Sequence, residues 1–299
     1  MNIEQELGQK LKEGVKVNEP MSLHTSWQVG GPADYFLCPA DLDELIEIVR
    51  FRKKYDLPLY VLGNGTNLLV RDGGIRGMVV NIGSAFCYIN QEGENLVAGS
   101  GTPMTYLARS AAERGLSGLE FCVGIPGSAG GAIIMNAGSF GGYIGEWVQS
   151  VKLVTCDAEI LNLARDELSF SYRTSNLPGR GIVVEAVLQL KQGDSEESLK
   201  MMEHFLSERK QRHPDLPSAG SVFRNHPNQP AGKIIEETGC KGMKSGGAEV
   251  SCKHANFIVN TGEASAVDII ELIGRVKRMV QEDCGLELQP EVKIIGEEK

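Results

Sequence analysis

The sequence feature that most constrains the fold is a stretch of 25 residues, 121–145, that contains no charged side chain and eight glycines. The stretch is long enough to span a bilayer as a helix. Its glycines, together with Pro126 and Asn136, disfavour a continuous helix. Glycine carries no Cβ atom and therefore lets the main chain approach another group closely. The stretch thus predicts backbone in close contact with a ligand inside a globular protein.

A second glycine-rich segment, Gly63-Asn64-Gly65-Thr66-Asn67, lies between two apolar runs. Such a turn brings several backbone N–H groups together, and this arrangement binds anionic phosphates without a positive side chain. A tight hairpin is the structural alternative for this segment taken alone. Two such segments, about sixty residues apart, favour a ligand of dinucleotide size.

The first segment departs from the usual dinucleotide-binding fingerprint. In the pattern G-x-G-x-x-G the third glycine would fall on Leu68, and no helical periodicity follows. The Walker pattern also fails, because Ile234 follows Gly232 and Lys233. No G-x-S-x-G sequence indicates a nucleophile elbow. These departures argue against a Rossmann fold and against a P-loop.

Composition excludes several kinds of partner and site. The 30 Lys and Arg residues against 39 Asp and Glu give a formal net charge of −9, which lacks the positive field that nucleic acids require. The seven cysteines form no C-x-x-C pair, and the five histidines show no metal-site spacing. We therefore expect no metal and no disulfide framework. The charged N-terminal residues do not resemble a signal peptide, so a cytoplasmic enzyme without membrane or obligate protein partners is expected.

Local signals divide the chain into regions. Region 1–83 alternates helix and strand patterns: Asp41 is positioned to cap a helix, and an apolar run at 59–62 predicts a strand. Region 84–205 contains short apolar runs and one clear helix from Pro103 to about Arg114, for which Thr102 is the expected cap and Gly115 the expected end. We expect these two regions to form two lobes.

Region 206–299 predicts a compact third unit, whose last residues could pack back on the first lobe. Its long helix is expected to begin with a capping box formed by Ser265 and Asp268 and to end at Gly285. The expected buried stripe of this helix consists of Ile269, Ile273, Val276 and Val280. Helices and short strands are mixed along the whole chain. The predicted fold class is therefore α+β.

Three further residues have suitable chemistry for catalysis: Arg173 in SYRTSN, Ser221 in AGSVFRN and Glu291 in LQPEVKIIG. Taken singly, each fits an ordinary structural role, as a surface ion-pair member, a turn residue or a strand-edge residue. Sequence spacing alone does not bring the three together.

The chain resembles the UDP-N-acetylenolpyruvoylglucosamine reductase family in eight motifs that follow the family's order across residues 24–296. These are HTSWQVGGPADYF, LGNGTNLLV, GIPGSAGGAIIMNAGSFGG, SYRTSN, AGSVFRN, AGKIIEETG, HANFIVN and LQPEVKIIG. The resemblance implies a two-lobed FAD-binding fold of the vanillyl-alcohol oxidase class and a C-terminal α+β substrate domain. It also implies reduction of the enolpyruvyl ether of UDP-N-acetylglucosamine by NADPH through FAD, a step in peptidoglycan synthesis.

The resemblance implies FAD contacts in both glycine-rich segments. The expected cofactor-binding residues are Gly63, Asn64, Gly65, Thr66, Asn67, Gly124, Pro126, Gly127, Ser128, Gly131, Asn136, Ala137 and Gly138.

The resemblance also implies roles for the three chemically suited residues. Arg173 matches the arginine that binds the enolpyruvyl carboxylate, and Glu291 matches the glutamate that helps to polarise it. Ser221 matches the serine that protonates C2 after hydride addition at C3. Tyr172 and Asn225 match positions that contact the substrate.

The interval between Arg173 and Ser221 is 47 residues, which resembles the shorter subtype that lacks an inserted substrate-closing loop. Another group must then bind the UDP diphosphate. Arg209, Lys210 and Arg212 are the candidates, and a solvated helix end is an equally good interpretation of these three residues.

Two positions depart from the family pattern. His226 separates Asn225 from Pro227, where many relatives have proline directly after asparagine, so the path of the following loop is open. Gln289 replaces the common glutamate before Pro290.

Two alternative functions fit the same sequence. One is an FAD-dependent alcohol or lactone oxidase of the same fold, and the other is a non-catalytic nucleotide-binding module. Oxygen-dependent turnover with covalently bound flavin would favour the oxidase.

The absorption spectrum tests all flavin-dependent interpretations together. We expect the protein, after mild purification or after addition of FAD, to show the yellow absorption bands of oxidised flavin. A colourless protein under both conditions would contradict the reductase and oxidase interpretations alike.

Overall fold

The computed structural model describes residues 3–299, which pack into two compact units. The large unit contains the residues up to Val17, Tyr35–Asn64 and Met78–Arg209. The small unit contains Asn18–Asp34, Gly65–Gly77 and Lys210–Lys299. Each unit is thus assembled from stretches far apart in sequence. The finer division into lobes at 1–83 and 84–205 and a domain at 206–299 stays a prediction.

Helices and strands alternate along the described chain. The α-helices are α1 (Ile3–Gly8), α2 (Leu42–Tyr55), α3 (Met104–Glu113), α4 (Ala129–Ile134), α5 (Ser195–Arg212), α6 (Ala231–Glu237) and α7 (Ala266–Cys284). The first ten strands are β1 (Val15–Pro20), β2 (Pro32–Leu37), β3 (Leu59–Leu62), β4 (Leu68–Val70), β5 (Ile75–Asn81), β6 (Ile89–Glu92), β7 (Asn95–Gly99), β8 (Leu116–Ser117), β9 (Gly138–Ser139) and β10 (Gly142–Tyr143). The remaining strands are β11 (Val148–Val154), β12 (Ile160–Ala164), β13 (Phe170–Ser171), β14 (Thr174–Ser175), β15 (Ile182–Gln189), β16 (Lys191–Gln192), β17 (Lys244–Ser245), β18 (Ala248–Val250), β19 (Ile258–Asn260) and β20 (Lys293–Ile295).

An antiparallel five-stranded sheet, in the order β12-β11-β15-β7-β6, forms the centre of the large unit. Its middle strand β15 is rich in β-branched residues and almost continuously buried, as expected for a strand covered on both faces. Leu96, Val151 and Leu188 from the sheet share one hydrophobic core with Leu107 of α3. Burial of these aliphatic side chains stabilises the unit.

A second sheet, in the order β1-β2-β5-β3, contains a parallel pair, with Leu59 of β3 opposite Met78 of β5. Helix α2 begins at Asp41, whose Oδ1 accepts a hydrogen bond from the Glu44 N–H at 2.9 Å. The predicted cap is confirmed. Leu45 and other apolar residues of α2 lie in a core shared with β5.

The predicted cap of α3 is wrong. The helix starts one residue later than expected, and Pro103 occupies the N-cap position without a side-chain hydrogen bond. The Thr102 hydroxyl instead donates to the carbonyl oxygen of Tyr88 at 3.1 Å. Since an N-cap oxygen must reach the N–H groups two or three positions into the helix, Thr102 lies too early to serve. The predicted end is confirmed, because Gly115 follows the helix with φ +69°.

In the small unit, an antiparallel sheet β17-β18-β19 lies in the same core as α6 and α7. Trp27, fully buried in this core, donates its indole N–H to the carbonyl oxygen of Ile258 at 2.7 Å. A buried indole requires such a partner, because an unpaired polar group in a core is costly. This bond attaches the N-terminal stretch of the unit to β19.

The 19-residue helix α7 has the capping box predicted from the sequence. Ser265 accepts from the Asp268 N–H, and the Asp268 carboxylate accepts from the Ser265 N–H. The Asp72 carboxylate accepts from the first two helical N–H groups at 3.0 and 3.1 Å. Gly285 ends the helix with φ +70°. The predicted apolar stripe is buried: Ile269, Ile273, Val276 and Val280.

The uncharged stretch 121–145 forms a short 3₁₀ turn, helix α4 and the strand pair β9–β10. Across residues 3–299, the structure contains no helix that is both long and apolar enough to cross a membrane. Several glycines of this stretch pack closely on neighbouring groups, and the predicted contact of the stretch with a ligand stays a prediction.

The capping box of α7 can be tested by the substitution Ser265→Ala. It removes one acceptor from the first turn, and we expect the free energy of unfolding to fall by about 1 kcal/mol. Urea denaturation measures the change. Ser265→Thr keeps a hydroxyl acceptor and is expected to retain most of the stability. Equal losses in the two variants would contradict the role of the cap.

Candidate functional site

The first glycine-rich segment connects strands of different sheets. Strand β3 pairs with β5, whereas β4 pairs with β20, so the two flanking strands do not form a hairpin with each other. Gly65 has φ +62°, and a Cβ atom there would collide with the carbonyl oxygen of His24. This position requires glycine on both grounds.

The two glycine-rich segments meet inside the large unit. A Cβ atom on Gly63 would lie 2.5 Å from the Oγ atom of Ser128. Ser128 is in turn the N-cap of α4 and accepts from the Gly131 N–H at 3.5 Å. The segments are thus neighbours in space, although about sixty residues separate them in sequence.

A buried hydroxyl group lies beside the second segment. A Cβ atom on Gly130 would come within 2.7 Å of Ser100 Cβ, and the Ser100 Oγ atom is buried without a hydrogen-bond partner among the described residues. Neither 63–67 nor 124–138 contains an acidic or a basic side chain. A glycine-rich backbone without carboxylates and an unsatisfied buried hydroxyl fit a diphosphate-bearing dinucleotide.

Arg209, near the end of α5, brings a positive charge to the second segment. Its side chain packs on Gly124 so closely that a Cβ atom there would overlap it, and its Nη1 donates to the Ser139 Oγ at 3.2 Å. Burial lowers the pKa of Arg209, but a guanidinium stays charged in proteins. Of the three basic candidates, Arg209 belongs to the large unit, whereas Lys210 and Arg212 belong to the small one.

Asn136 uses its buried amide to hold neighbouring backbone. Its Nδ2 donates to the carbonyl oxygen of Ser171 at 2.9 Å, and its Oδ1 accepts from the Gly145 N–H at 3.0 Å. Its φ of +43° is unusual for a residue with a side chain. Asn136 therefore connects the second glycine-rich segment to the next hairpin, and its predicted contact with the cofactor stays a prediction.

Tyr172 and Arg173 form the two-residue turn between β13 and β14. Arg173 has φ +54°, a left-handed conformation that costs energy in a residue with a long side chain. Its Nη2 donates to the Gly138 carbonyl at 2.9 Å, and its guanidinium lies 5.4 Å from the ring centre of Tyr172. The strained turn thus directs Arg173 to the second glycine-rich segment.

A cavity of about 350 Å³ adjoins this turn. Its lining residues are Asn136, Tyr143, Gly145, Glu146, Arg165, Phe170, Ser171 and Tyr172. The cavity thus brings aromatic rings and both signs of charge beside the predicted substrate contact Tyr172.

In the small unit, the segments that carry Ser221 and Glu291 run side by side. The Glu291 N–H donates to the Val222 carbonyl at 2.7 Å, and the Arg224 N–H donates to the Gln289 carbonyl at 2.9 Å. Phe223 faces Pro290 in an antiparallel bridge. The structure therefore pairs the segments of two residues that sequence spacing could not connect.

Asn67, the last residue of the first glycine-rich segment, bonds to the stretch that contains Glu291. Its Nδ2 donates to the carbonyl oxygen of Glu291 at 3.3 Å, and its carbonyl accepts from the Lys293 N–H at 3.1 Å. These bonds continue into the parallel pairing of β20 with β4. A predicted cofactor contact and a predicted catalytic residue are thus adjacent.

The extra residue His226 forms part of a tight turn. His226 and Gln229 make an isolated bridge, and the Asn228 N–H approaches His226 Nδ1 at 3.3 Å. The Oδ1 of Asn225 accepts from the Ala231 N–H at 3.0 Å at the start of α6. The turn accommodates His226 while Asn225 stays attached to the helix.

The predicted residues thus fall into two sets. In the large unit Gly63 meets Ser128, and Arg173 meets Gly138. In the small unit Ser221, Asn67, Asn225 and Glu291 lie on connected segments. Among residues 3–299 no group of three or more His, Cys, Asp or Glu side chains could hold a metal ion.

Sequence reasoning missed Ser100 and Asn256. Ser100 lies in an ordinary strand-to-helix connection, and nothing local distinguishes it. Asn256 is buried and bonds to the segment that follows Ser221. The available signal was the position of Asn256 directly before the apolar run at 257–259. An asparagine next to a buried run is often buried itself, and a buried amide requires hydrogen-bond partners.

Two family models match the chain. The model of the FAD binding domain matches residues 33–164, and the model of the C-terminal domain of UDP-N-acetylenolpyruvoylglucosamine reductase matches residues 211–295. The reductase of Caldanaerobacter subterraneus subsp. tengcongensis is 45% identical over 290 residues, which cover 96% of each chain. The chain belongs to the UDP-N-acetylenolpyruvoylglucosamine reductase family.

Other members of this family are similar to the chain over nearly its whole length. The reductase of Bacillus subtilis is 43% identical over 295 residues, which cover 98% of this chain and 97% of the relative. The solved UDP-N-acetylenolpyruvylglucosamine reductase of Thermus caldophilus has a TM-score of 0.82 at 37% identity, covering 94% of this chain and 99% of that one. The predicted family and fold class are confirmed.

The contact between the two glycine-rich segments can be tested with Gly63→Ala. The new methyl group would lie against Ser128 Oγ, and overpacking of this kind costs about 1–3 kcal/mol, so we expect FAD affinity to fall by about 5- to 150-fold. Titration of the apoprotein with FAD, followed by flavin fluorescence, measures the change.

Two control variants accompany that measurement. Gly63→Ala combined with Ser128→Ala removes the clashing oxygen and is expected to regain part of the affinity lost. Gly8→Ala changes a glycine whose added Cβ would meet nothing within 4 Å, and we expect unchanged affinity. Loss of affinity in Gly8→Ala, or full affinity in Gly63→Ala, would contradict the proposed contact.

Proposed function

We propose that this chain catalyses the NADPH-dependent reduction of UDP-N-acetylglucosamine enolpyruvate to UDP-N-acetylmuramate with FAD as cofactor, in peptidoglycan precursor synthesis. The observation that carries the proposal is the pairing of the Ser221 and Glu291 segments in a chain of this family. The reaction adds a hydride to C3 and a proton to C2 of the enolpyruvyl group. The partners are the nucleotide sugar and NADPH, and the proposed location is the cytoplasm.

The proposed cofactor-binding residues lie in the two glycine-rich segments. They are Gly63, Asn64, Gly65, Thr66, Asn67, Gly124, Pro126, Gly127, Ser128, Gly131, Asn136, Ala137 and Gly138. Bound FAD would supply hydride transfer from NADPH to the substrate. The glycines would let backbone N–H groups approach the diphosphate, and the unsatisfied Ser100 hydroxyl supports a polar ligand nearby.

Ser221 is the proposed proton donor to C2. Its partial exposure gives it access to a substrate, and the φ of +76° at Gly220 turns the chain immediately before it. The two residues after it are buried and bonded, so the hydroxyl stands on a supported main chain. A serine hydroxyl is a weak acid, so its proton transfer needs positive charge or hydrogen-bond donors around the oxygen that remains.

Arg173 is the proposed partner of the enolpyruvyl carboxylate. Its planar, permanently charged guanidinium suits a carboxylate whose negative charge grows as hydride adds to C3. The bond to the Gly138 carbonyl and the contact with Tyr172 restrict the side chain before substrate arrives. A charged group that is already held in place stabilises the transition state without reorganising during the reaction.

Glu291 is proposed to polarise the same carboxylate. Two carboxyl groups approach each other only when a proton or a cation lies between them. The main-chain groups of Glu291 bond to Val222 and to Asn67, so Glu291 lies on the segment paired with that of Ser221. This pairing supports a role for Glu291 and Ser221 in the same reaction.

Tyr172 and Asn225 are the proposed substrate contacts. Tyr172 lines the cavity beside the Arg173 turn, and Asn225 is attached to the start of α6. The positive charge that binds the UDP diphosphate is proposed to come from one of three basic residues, Arg209, Lys210 or Arg212. Arg209 is already ordered by its bond to Ser139, which supports its use on an anion near the second glycine-rich segment.

The substitution Ser221→Ala tests the proposal. We expect NADPH to reduce the flavin of this variant normally, because proton donation to C2 follows that step. Product formation is expected to fall by about 10²-fold or more, the usual contribution of a positioned general acid. Stopped-flow absorbance follows the flavin, and chromatography follows UDP-N-acetylmuramate.

Ser207→Ala, at an exposed position of α5, is the control and is expected to behave as the parent. Normal product formation by Ser221→Ala would contradict the assignment of Ser221. Oxygen consumption with alcohols or lactones, without turnover of the nucleotide sugar, would favour an oxidase.

A further inference from the structure

The segment that carries Ser221 belongs to no helix and to no regular strand. Phe223 makes only an isolated bridge, to Pro290. Val222 and Phe223 are nevertheless buried, at 0% and 2% exposure. Buried main-chain groups outside regular structure must find hydrogen bonds elsewhere. What supplies these bonds also determines where the Ser221 hydroxyl lies.

One side of this segment is bonded to the stretch that contains Glu291. The Glu291 N–H donates to the Val222 carbonyl, and the Arg224 N–H donates to the Gln289 carbonyl. These bonds leave the N–H groups of Val222 and Phe223, and the carbonyl of Phe223, to be satisfied from the other side.

Asn256 satisfies all three of these groups. Its Oδ1 accepts from the Phe223 N–H at 2.9 Å, and its Nδ2 donates to the Phe223 carbonyl at 2.8 Å. Its own main-chain carbonyl accepts from the Val222 N–H at 2.8 Å. The carboxamide thus pairs with the main chain as a neighbouring strand would. Only one orientation of the amide satisfies both side-chain bonds, because the reversed amide would oppose like groups.

Asn256 is itself held firmly. Its side chain is 3% exposed, so water does not compete for these bonds. Its N–H approaches the Nδ1 atom of His254 at 3.2 Å, and the Phe257 carbonyl accepts from the Ser251 N–H at 2.8 Å just before β19. A side chain held in this way transmits its position to the groups that it bonds.

We propose that Asn256 is a positioning residue for Ser221: its buried carboxamide, bonded to both main-chain groups of Phe223, holds the Ser221 hydroxyl where it protonates the substrate. The inference rests on the proposed function of Ser221. Asn256 does not touch the reacting atoms in this role. Asn256 bonds one side of the segment 222–224, and the stretch that contains Glu291 bonds the other side. The segment is thus fixed between them, and so is the position of Ser221 relative to Glu291.

The substitution Asn256→Ala tests this role, with the flavin-loaded enzyme and the nucleotide-sugar substrate. We expect flavin reduction by NADPH to be unchanged and the KM for the nucleotide sugar to change little. The rate of product formation from reduced enzyme is expected to fall by roughly 10- to 100-fold, the usual effect of misplacing a catalytic group by about 1 Å. Because proton donation then limits the rate, the solvent deuterium isotope effect on this step is expected to rise.

Asn260→Ala is the matched control. Asn260 lies four residues further on, at the end of β19, and is 5% exposed. Its side-chain amide bonds three main-chain groups, those of Trp27, Gly262 and Ala264, whereas that of Asn256 bonds two. Its loss should therefore lower stability comparably without moving Ser221. We expect this control to keep the rate and the isotope effect of the parent. Equal effects in both variants would show a merely structural role for Asn256 and overturn the inference.

Asn256→Asp provides a second variant if Asn256→Ala does not fold. It keeps the acceptor for the Phe223 N–H but faces the Phe223 carbonyl with a second oxygen, so a loss of rate with the same rise in isotope effect is expected. An unchanged rate and isotope effect in this variant would overturn the inference.

The combination of Asn256→Ala with Ser221→Ala separates failure of the inference from failure of the proposed function. If Asn256 acts through Ser221, the double variant should be no slower than Ser221→Ala alone. A further loss in the double variant would overturn the inference and leave Ser221 as proton donor. Full activity of Ser221→Ala would overturn both.

Discussion

The small unit depends on the main-chain hydrogen bonds of its C-terminal stretch, residues 289–295. This stretch pairs first with the irregular segment after Ser221 and then, as β20, with β4. A single run of chain thereby connects Glu291 to Asn67 and to the segment of Ser221. Backbone pairing is directional and fixes register, whereas apolar burial alone does not, so these bonds determine which side chains share the site.

Buried asparagines bond to the main chain where it lies outside regular helices and strands. Asn136, Asn256 and Asn260 are each at most 5% exposed, and each uses its amide on the main chain of another segment. An amide offers both a donor and an acceptor, so it can replace a missing strand neighbour. Glycine-rich and looped segments have many unpaired backbone groups, which explains why such residues occur next to the predicted site.

Local patterns in the sequence were sufficient for much of the secondary structure and for the family. The cap of α2 at Asp41 and the capping box of α7 depend on residues a few positions apart, and both are present as predicted. The cap at Thr102 was wrong because a preference for a residue type does not fix its register relative to the helix. Ordered motifs along the chain identified the family before any contact was known.

Only the tertiary structure decided how distant residues combine. The contact of Gly63 with Ser128 and the pairing of the Ser221 and Glu291 segments depend on long-range register, which no local pattern encodes. The left-handed turn at Arg173 likewise contradicts its local preference and exists because the surrounding contacts hold it. The sequence by itself thus determined the elements, the glycine-rich segments and the family. The folded chain determined which of their groups lie within hydrogen-bonding distance, because such distances arise only after the separate stretches have packed.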